Sequence, residues 1–529
     1  MIVFKERQPV NGGDVTDFEP KVLSTWLARR AEFSGNAPAL TFGDRRWTYA
    51  QLVNDADRLA AVFSEKGVKQ GDRIAFLGFH CPEVLLSLFA CSKLGAIFVP
   101  LNFRLSAAEL KPIIADCGAH TLVVDSQHTE ILAAMVGDLD CQCYLQTDVA
   151  EGQAGAWPLL TTLLNTVSGT APSVAVNSDD IAAIVYTSGT TGIPKGVMLS
   201  HGNLWANNLN WNLAAGISSE DVILVTAPPF HVSGLFVLLT SVLLMGGHVV
   251  LHRGFDTDNA IAAIENHGIT ITFMVPSMIL MLSQHEHFPR ANLSSLRLFV
   301  VGGAPTPEPV LRLCNDRGIP VSHCYGMSEC SSATTFLDPK LATEKLNSVG
   351  LAMLLSQIKI VDDQGRNITE PDVKGEICVR GGNVTSGYWS RAQATEELFL
   401  DGGWCRSGDI GYLDSEGYLY LSDRIKDMII SGGENIYPAE VESVLMAHPA
   451  IANVAVVGRP DDHWGERAVA VIILKPAKSL TLEQMTEFCH NRLARYKVPK
   501  ELHIVAEFPL NGAGKVLKKQ IRESLLSTE

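Results

Sequence analysis

Basic charge is scarce in this 529-residue chain, where 42 Lys and Arg face 57 Asp and Glu for a formal net charge of −15. A broad surface for nucleic acid or an anionic membrane needs concentrated Lys and Arg, so any polyanion must meet a local site. Long apolar runs are missing as well. The longest, residues 235–245, contains Thr240 and Ser241 and stops at Gly246-Gly247, well short of the ~20 residues of a membrane span, and is expected to be a buried helix. At the start, Lys5, Glu6 and Arg7 interrupt the apolar residues before a signal-peptide core can form. The expectation is a cytoplasmic protein with no transmembrane segment, with peripheral membrane contact and a homodimer left open. Paired cysteines are lacking too. Eleven are scattered along the chain, and the close pair Cys141 and Cys143 has neither CxxC spacing nor a neighbouring His cluster, which predicts reduced thiols rather than disulfides or zinc ligands. There is no internal repeat and no low-complexity tract.

What is present is an ordinary globular composition, 47% hydrophobic and 19% charged, which excludes general disorder. The length exceeds what one core usually supports and predicts at least two domains. Helical patterns over 51–66 and 82–94 alternate with strand patterns over 73–77 and 96–100, the signature of βαβ units and a parallel sheet. Strand-like runs recur at 121–124, 222–226, 248–251, 271–275 and 298–301. From Gly350 the texture changes to short β-type runs, such as 357–361 and 376–379, separated by Asp-Gly, Gly-Gly and Ser-Gly turns. Past Asp423 come a helix (439–447), strands (452–458 and 468–474), a helix (482–493) and a strand (501–505). The predicted fold is α/β: a large N-terminal domain of doubly wound sheets (1–423) with a β-rich subregion (350–423), followed by a small α+β C-terminal domain (424–529).

The sharpest local signal is Tyr186-Thr-Ser-Gly-Thr-Thr-Gly-Ile-Pro-Lys195-Gly, directly after the strand-like run 181–185. Gly189, Gly192 and Gly196 permit backbone angles that aim amides at an anion, Thr187, Ser188, Thr190 and Thr191 supply hydroxyls, and Lys195 adds a positive charge. A flexible linker would not normally follow a buried strand and carry a lysine among its glycines, so the loop is predicted to bind phosphate. It is not the Walker loop, because its lysine lies beyond a proline in the order SGTTGxPKG.

Further segments sit where an open sheet presents ligand loops, at the carboxyl ends of strands: Gly302-Gly-Ala-Pro305 and Tyr325-Gly-Met-Ser-Glu329. Trp404-Cys-Arg-Ser-Gly-Asp409 places a carboxylate after a tight turn, Ser422-Asp-Arg424 a guanidinium, and Asn511-Gly-Ala-Gly-Lys515 a lysine on a Gly-rich turn. Alone, Asp409 reads as a turn former, Arg424 as a surface ion pair, Lys515 as a solvated end and Ser328-Glu329 as a helix start.

Taken in order, these motifs resemble the ANL adenylate-forming superfamily over nearly the whole chain. The string from Asp423 to Glu440 is similar to that of its acyl-CoA synthetases. The resemblance implies that Thr187, Ser188, Gly189, Thr190, Thr191, Gly192 and Lys195 hold the ATP phosphates. It further implies that Tyr325 and Gly326 meet adenine, that Gly303 and Ala304 line the base and acyl pocket, and that Ser328 lies beside the phosphates. Glu329 is then the Mg²⁺ ligand, and Asp409 grips the ribose with help from Arg424. Lys515 would bridge the substrate carboxylate and the ribose as a catalytic residue with Glu329 and Lys195, although Ala513 stands where the family usually has Thr. Lys426 would be the hinge of a mobile C-terminal domain, and Gly432 and Gly433 would complete the tunnel for coenzyme A. The acyl pocket would fall to His231, Val232, Phe236, Gly303, Met327 and Ser331, with His231 equally readable as a core histidine. No Asp follows His231 to hold an amine, which disfavours amino-acid substrates.

The expected activity is that of an ATP-dependent acyl-CoA ligase using ATP, Mg²⁺ and coenzyme A on a fatty acid. Alternatives are an aryl or pathway-specific acid of the o-succinylbenzoate, cinnamate or steroid side-chain type, an adenylating enzyme that loads a carrier protein, and an inactive nucleotide-binding scaffold.

Overall fold

The computed structural model describes residues 19–149, 155–187, 194–303, 308–424, 427–431, 434–461, 465–490, 492–510 and 516–526. Two large sheets and one small one carry the chain. The first sheet runs Cys143–Gln146, Ala119–Val124, Arg73–Leu77, Ile97–Leu101, Ile181–Thr187 and Lys195–Ser200. Its first five strands are parallel, and Lys195–Ser200 returns antiparallel to Ile181–Thr187. Parallel strands covered on both faces need apolar residues at every position. That is the composition of Ile97–Leu101, buried throughout.

The second sheet has a parallel centre in the order Val321–Tyr325, Leu298–Val301, Ile271–Met274, Val222–Val225, His248–Leu251 and Pro38–Phe42. Thr335–Phe336 and Ser348–Ala352 then continue it, antiparallel, into Leu419–Arg424, Trp404–Leu413, Gly375–Gly381 and Ser356–Val361. The β-rich subregion expected at 350–423 is therefore hydrogen-bonded into the main sheet rather than set apart from it.

Helices fill the space around these sheets. Tyr49–Glu65 starts at a capping box in which Thr48 and Gln51 satisfy each other's backbone amides. Pro82–Leu94 is buried along nearly its whole length and ends at Gly95 in the left-handed region. The largest core gathers Phe76, Phe89, Phe98, Trp211 and Phe236. Each such ring contributes about 1.5–3 kcal/mol by leaving water.

A five-stranded C-terminal sheet is built from Glu434–Ile436, Ile429–Ser431, Gly465–Leu474, Ile451–Asp461 and Glu501–Ile504. It has its own core on each face, around Val441, Leu445 and Ile472 on one and Val457, Val471 and Ile521 on the other.

Three expectations are revised. The apolar run 235–245 is split between the short helices Val232–Leu235 and Leu239–Met245. The carbonyl of Phe236 accepts the side-chain amide of Asn207 (2.6 Å) and the hydroxyl of Ser332 (3.3 Å), side-chain donors that take the place of a helical amide. The helix expected over 482–493 ends at Cys489. The hairpin Pro38–Phe42 with Arg45–Thr48 edges the second sheet, where sequence patterning gave no strand. All eleven cysteines are free thiols, as expected. No helix among the described residues is long and apolar enough to cross a membrane.

Candidate active site

Tyr325 ends the parallel strand Val321–Tyr325, and its hydroxyl donates to Oδ2 of Asp409 at 2.8 Å. Burial, with the Asp409 charge adding to it, raises the phenol far above its usual range, so it stays a donor. Asp409 is presented by an irregularity in the strand Trp404–Leu413. Gly408 has φ 69, and Ser407 Oγ donates to the Ile377 carbonyl at 2.7 Å while accepting the Asp409 amide at 3.0 Å. The buried Glu376 holds this turn by accepting the Gly408 amide (3.1 Å) and Arg406 Nε (2.9 Å). Arg424 takes the register position opposite Asp409.

Close backbone packing brings the neighbouring loops to the same edge. A Cβ on Gly326 would lie 1.9 Å from the Ser332 carbonyl oxygen, and one on Gly302 would lie 2.6 Å from Cys324 Sγ, so neither position accepts a side chain. Gly303 is exposed and has φ 83. Ser328–Cys330 forms a single 3₁₀ turn with no α-helix behind it, which removes the helix-start interpretation of Ser328-Glu329.

At the loop expected to bind phosphate, Thr187 pairs in register with Lys195, closing the stems of a segment whose residues 188–193 lie outside the described residues. Lys195 Nζ sits 4.9 Å from the ring centroid of Tyr388, and the Tyr388 hydroxyl donates to Oε1 of Glu329 at 2.7 Å. Tyr186, at the other stem, donates to Asp116 at 2.6 Å. Sequence reasoning missed Tyr388, Asp116 and Glu376, because each acts through a partner distant in the chain. The one local trace was Gly387-Tyr388-Trp389, which carries no chemical signature by itself.

The acyl-pocket candidates divide. His231 precedes the helix Val232–Leu235 and packs 5.0 Å from Phe230, which meets Phe103 edge-on at 5.1 Å. Its ring keeps some solvent access, yet crowding by protein, reinforced by Arg104, lowers its pKa to about 4 and leaves it neutral near pH 7. Met327 is partly exposed and Val232 is buried near the surface, whereas Phe236 and Ser331 are fully buried. The Ser331 hydroxyl donates to the Asn383 carbonyl at 2.7 Å. Ala304, Lys426, Gly432, Gly433 and Lys515 lie outside the described residues, as do Ser188, Gly189, Thr190, Thr191 and Gly192.

Thr187 ends a strand of the first sheet and Tyr325 a parallel strand of the second, and the carboxyl ends of such strands are where open α/β sheets hold their ligands. A family model described as "AMP-binding enzyme" matches residues 27–389, and one described as "AMP-binding enzyme C-terminal domain" matches 440–515. The chain belongs to the AMP-binding enzyme family, in the branch of its acid–CoA ligases. A feruloyl-CoA synthase from an Amycolatopsis species is 39% identical over 500 residues, covering 94% of this chain and 98% of that one. An indoleacetate–CoA ligase from Aromatoleum aromaticum is 39% identical over 502 residues, covering 95% and 98%. The o-succinylbenzoate CoA synthetase of Bacillus subtilis, solved with its acyl-adenylate intermediate, superposes with a TM-score of 0.84 at 35% identity over 94% of this chain and 97% of that one.

Proposed function

We propose that this enzyme activates an aromatic carboxylic acid as its acyl-adenylate and then transfers the acyl group to coenzyme A. The observation that carries the adenylation step is the pairing of Tyr325 with Asp409 beside the group of Lys195, Tyr388 and Glu329. An ionised carboxylate is an acceptor only, suited to two ribose hydroxyls, and the Tyr325 donor fixes its orientation while the ring offers a face to the base. Attack by the substrate carboxylate on the α-phosphorus releases pyrophosphate. The negative charge that develops is met by Lys195 and, in this proposal, by Lys515.

Among the described residues no group of three or more His, Cys, Asp or Glu gathers as a metal cluster. A lone carboxylate such as Glu329 fits Mg²⁺, which is held by one or two carboxylates together with substrate phosphates. The ion would supply charge neutralisation at the phosphates. In the second step the thiol of coenzyme A attacks the acyl carbonyl and AMP departs. We assign the exchange between steps to rotation of residues 424–529 about Lys426, which withdraws Lys515 and brings Gly432 and Gly433 to the thiol's path.

The choice of an aromatic acid over the fatty acid expected from sequence rests on the full-length similarity to ligases named for ferulate and indoleacetate. We place the reaction in the cytoplasm, with small molecules as its partners. The test is a panel of cinnamic, indoleacetic, succinylbenzoic and fatty acids, scored for AMP release with and without coenzyme A. Aryl acids are expected to give the highest kcat/KM, with CoA-dependent turnover. Higher values for fatty acids would reverse the substrate assignment, and product release independent of CoA would remove the ligase assignment.

A further inference from the structure

Residues 385–391 contact the Lys195–Ser200 strand, Asp116 and the backbone of Glu329. The Thr385 amide donates to the Glu329 carbonyl at 2.8 Å, the Met198 amide to the Gly387 carbonyl at 3.1 Å, and the Trp389 amide to the Gly196 carbonyl at 2.7 Å. Tyr388 bridges Val197 in antiparallel fashion. Trp389 Nε1 donates to the Asp116 carbonyl at 3.2 Å, and Arg391 shares the Asp116 carboxylate with Tyr186. One short segment thus ties both stems of the phosphate loop to the backbone of Glu329.

The backbone that aims Tyr388 is tightly constrained. Gly387 has φ 138, and a Cβ there would lie 2.3 Å from Thr395 Cγ2. The next amide, that of Tyr388, donates to Thr395 Oγ1 at 2.9 Å. Tyr388 is buried, and its two functions diverge from one ring: the hydroxyl reaches Glu329 and the face lies against the Lys195 ammonium.

We infer that Tyr388 is a positioning residue that couples the phosphate-side Lys195 to the metal-side Glu329, so that both are preset for Mg²⁺-bound ATP. The inference rests on the roles proposed above for those two residues. A carboxylate on a short 3₁₀ turn can rotate about its terminal bonds. A phenol donor on one oxygen fixes the carboxylate plane, and the cation over the same ring holds the lysine at a set distance from it. A tyrosine that served only the core would need neither contact.

Tyr388→Phe keeps the ring beneath Lys195 and deletes only the donor, and Tyr388→Leu deletes both. In the full chain without acid, ATP affinity is titrated calorimetrically with Mg²⁺ and with EDTA, and the melting temperature is recorded alongside. The gain in ATP affinity that Mg²⁺ confers is expected to fall about tenfold in Tyr388→Phe, the usual scale for a group that orients a metal ligand. Its affinity with EDTA, its KM for the acid and its rate of thioester formation from supplied acyl-AMP should stay at wild-type values. Tyr388→Leu should lose affinity under both conditions. A wild-type Mg²⁺ gain in Tyr388→Phe would overturn the inference alone, as would a loss shared equally by the EDTA titration and the melting temperature. Absence of any Mg²⁺ gain in the wild type would overturn it together with the function beneath it.

Discussion

Tyr325 and Asp409 stand 84 positions apart in the chain, yet the hydroxyl of one donates to the carboxylate of the other across 2.8 Å. Asp409→Asn replaces an acceptor-only group by one half of which donates, facing a phenol that also donates. We expect a loss of about 1.5–3 kcal/mol in nucleotide binding, the scale of a hydrogen bond to a charged group. That corresponds to a rise of about tenfold or more in the KM for ATP. The KM for the acid should hold. Tyr325→Phe, which keeps the aromatic face, should cost less. Steady-state kinetics with ATP and acid varied in turn checks both, and equal effects on the two substrates would count against the assignment.

Lys515 is proposed to act only in the first half-reaction. Lys515→Ala should slow acyl-AMP formation by on the order of 10²–10³, the range for removal of one charge-stabilising donor. Thioester formation from supplied acyl-AMP should proceed at the wild-type rate. Separate assays of the two steps decide it, since equal losses would mean that the lysine serves both or that the fold is damaged.

Gly326 has no room for a side chain, because the obstructing atoms are the backbone oxygen of Ser332 and Cα of Ala333 rather than a movable side-chain end. Gly326→Ala should destabilise the chain by about 1–3 kcal/mol, the scale of overpacking. It should also weaken ATP binding, because relief of the clash displaces Tyr325. Urea unfolding followed by ATP titration measures the two effects, and an unchanged unfolding midpoint would contradict the packing.

His80 and His201 are fully buried, and burial lowers each to a pKa of about 4 from the ordinary 6.5. His80 holds the Gly234 carbonyl at 3.0 Å through Nε2. His80 Nδ1 and His201 Nε2 have no partner among the described residues. Below pH 6.5 the unfolded chain binds protons that the folded chain refuses, so stability is full above that value and falls as pH drops toward 4. At pH 5 the loss should be on the order of 1–2 kcal/mol for each of the two histidines. Chemical unfolding at pH 7, 6 and 5 gives the slope, and His80→Asn should flatten it. A stability unchanged across this range would refute the neutral burial of both rings.

Legibility in the sequence followed the range of the forces involved. Leu298–Val301 could be read because a parallel strand covered on both faces is apolar at every position, and Ile271–Met274 departs from that only at Thr272, whose hydroxyl donates to the Leu224 carbonyl at 3.1 Å. The break inside the run 235–245 could not, since it depends on Asn207 and Ser332, which approach Phe236 only after folding. The hairpin Pro38–Thr48 escaped notice because Arg45 and Arg46 are exposed at the sheet edge and give no apolar signal. Tyr325 and Asp409 stand out in the sequence through family resemblance, each inside a compact motif, whereas their mutual contact is visible only in the fold. Tyr388 does not stand out, because its chemistry comes from Glu329, 59 positions earlier.

The unbroken ladder through Thr335–Phe336 and Ser348–Ala352 into Leu419–Arg424 has a consequence for recombining this enzyme with its relatives. A crossover at residue 350 would fall inside the strand Ser348–Ala352, which bonds to Leu419–Arg424, and would inherit Asp409 from one parent and Tyr325 from the other. An exchangeable cassette has to carry both residues, so its boundary belongs beyond Arg424, where the main sheet ends.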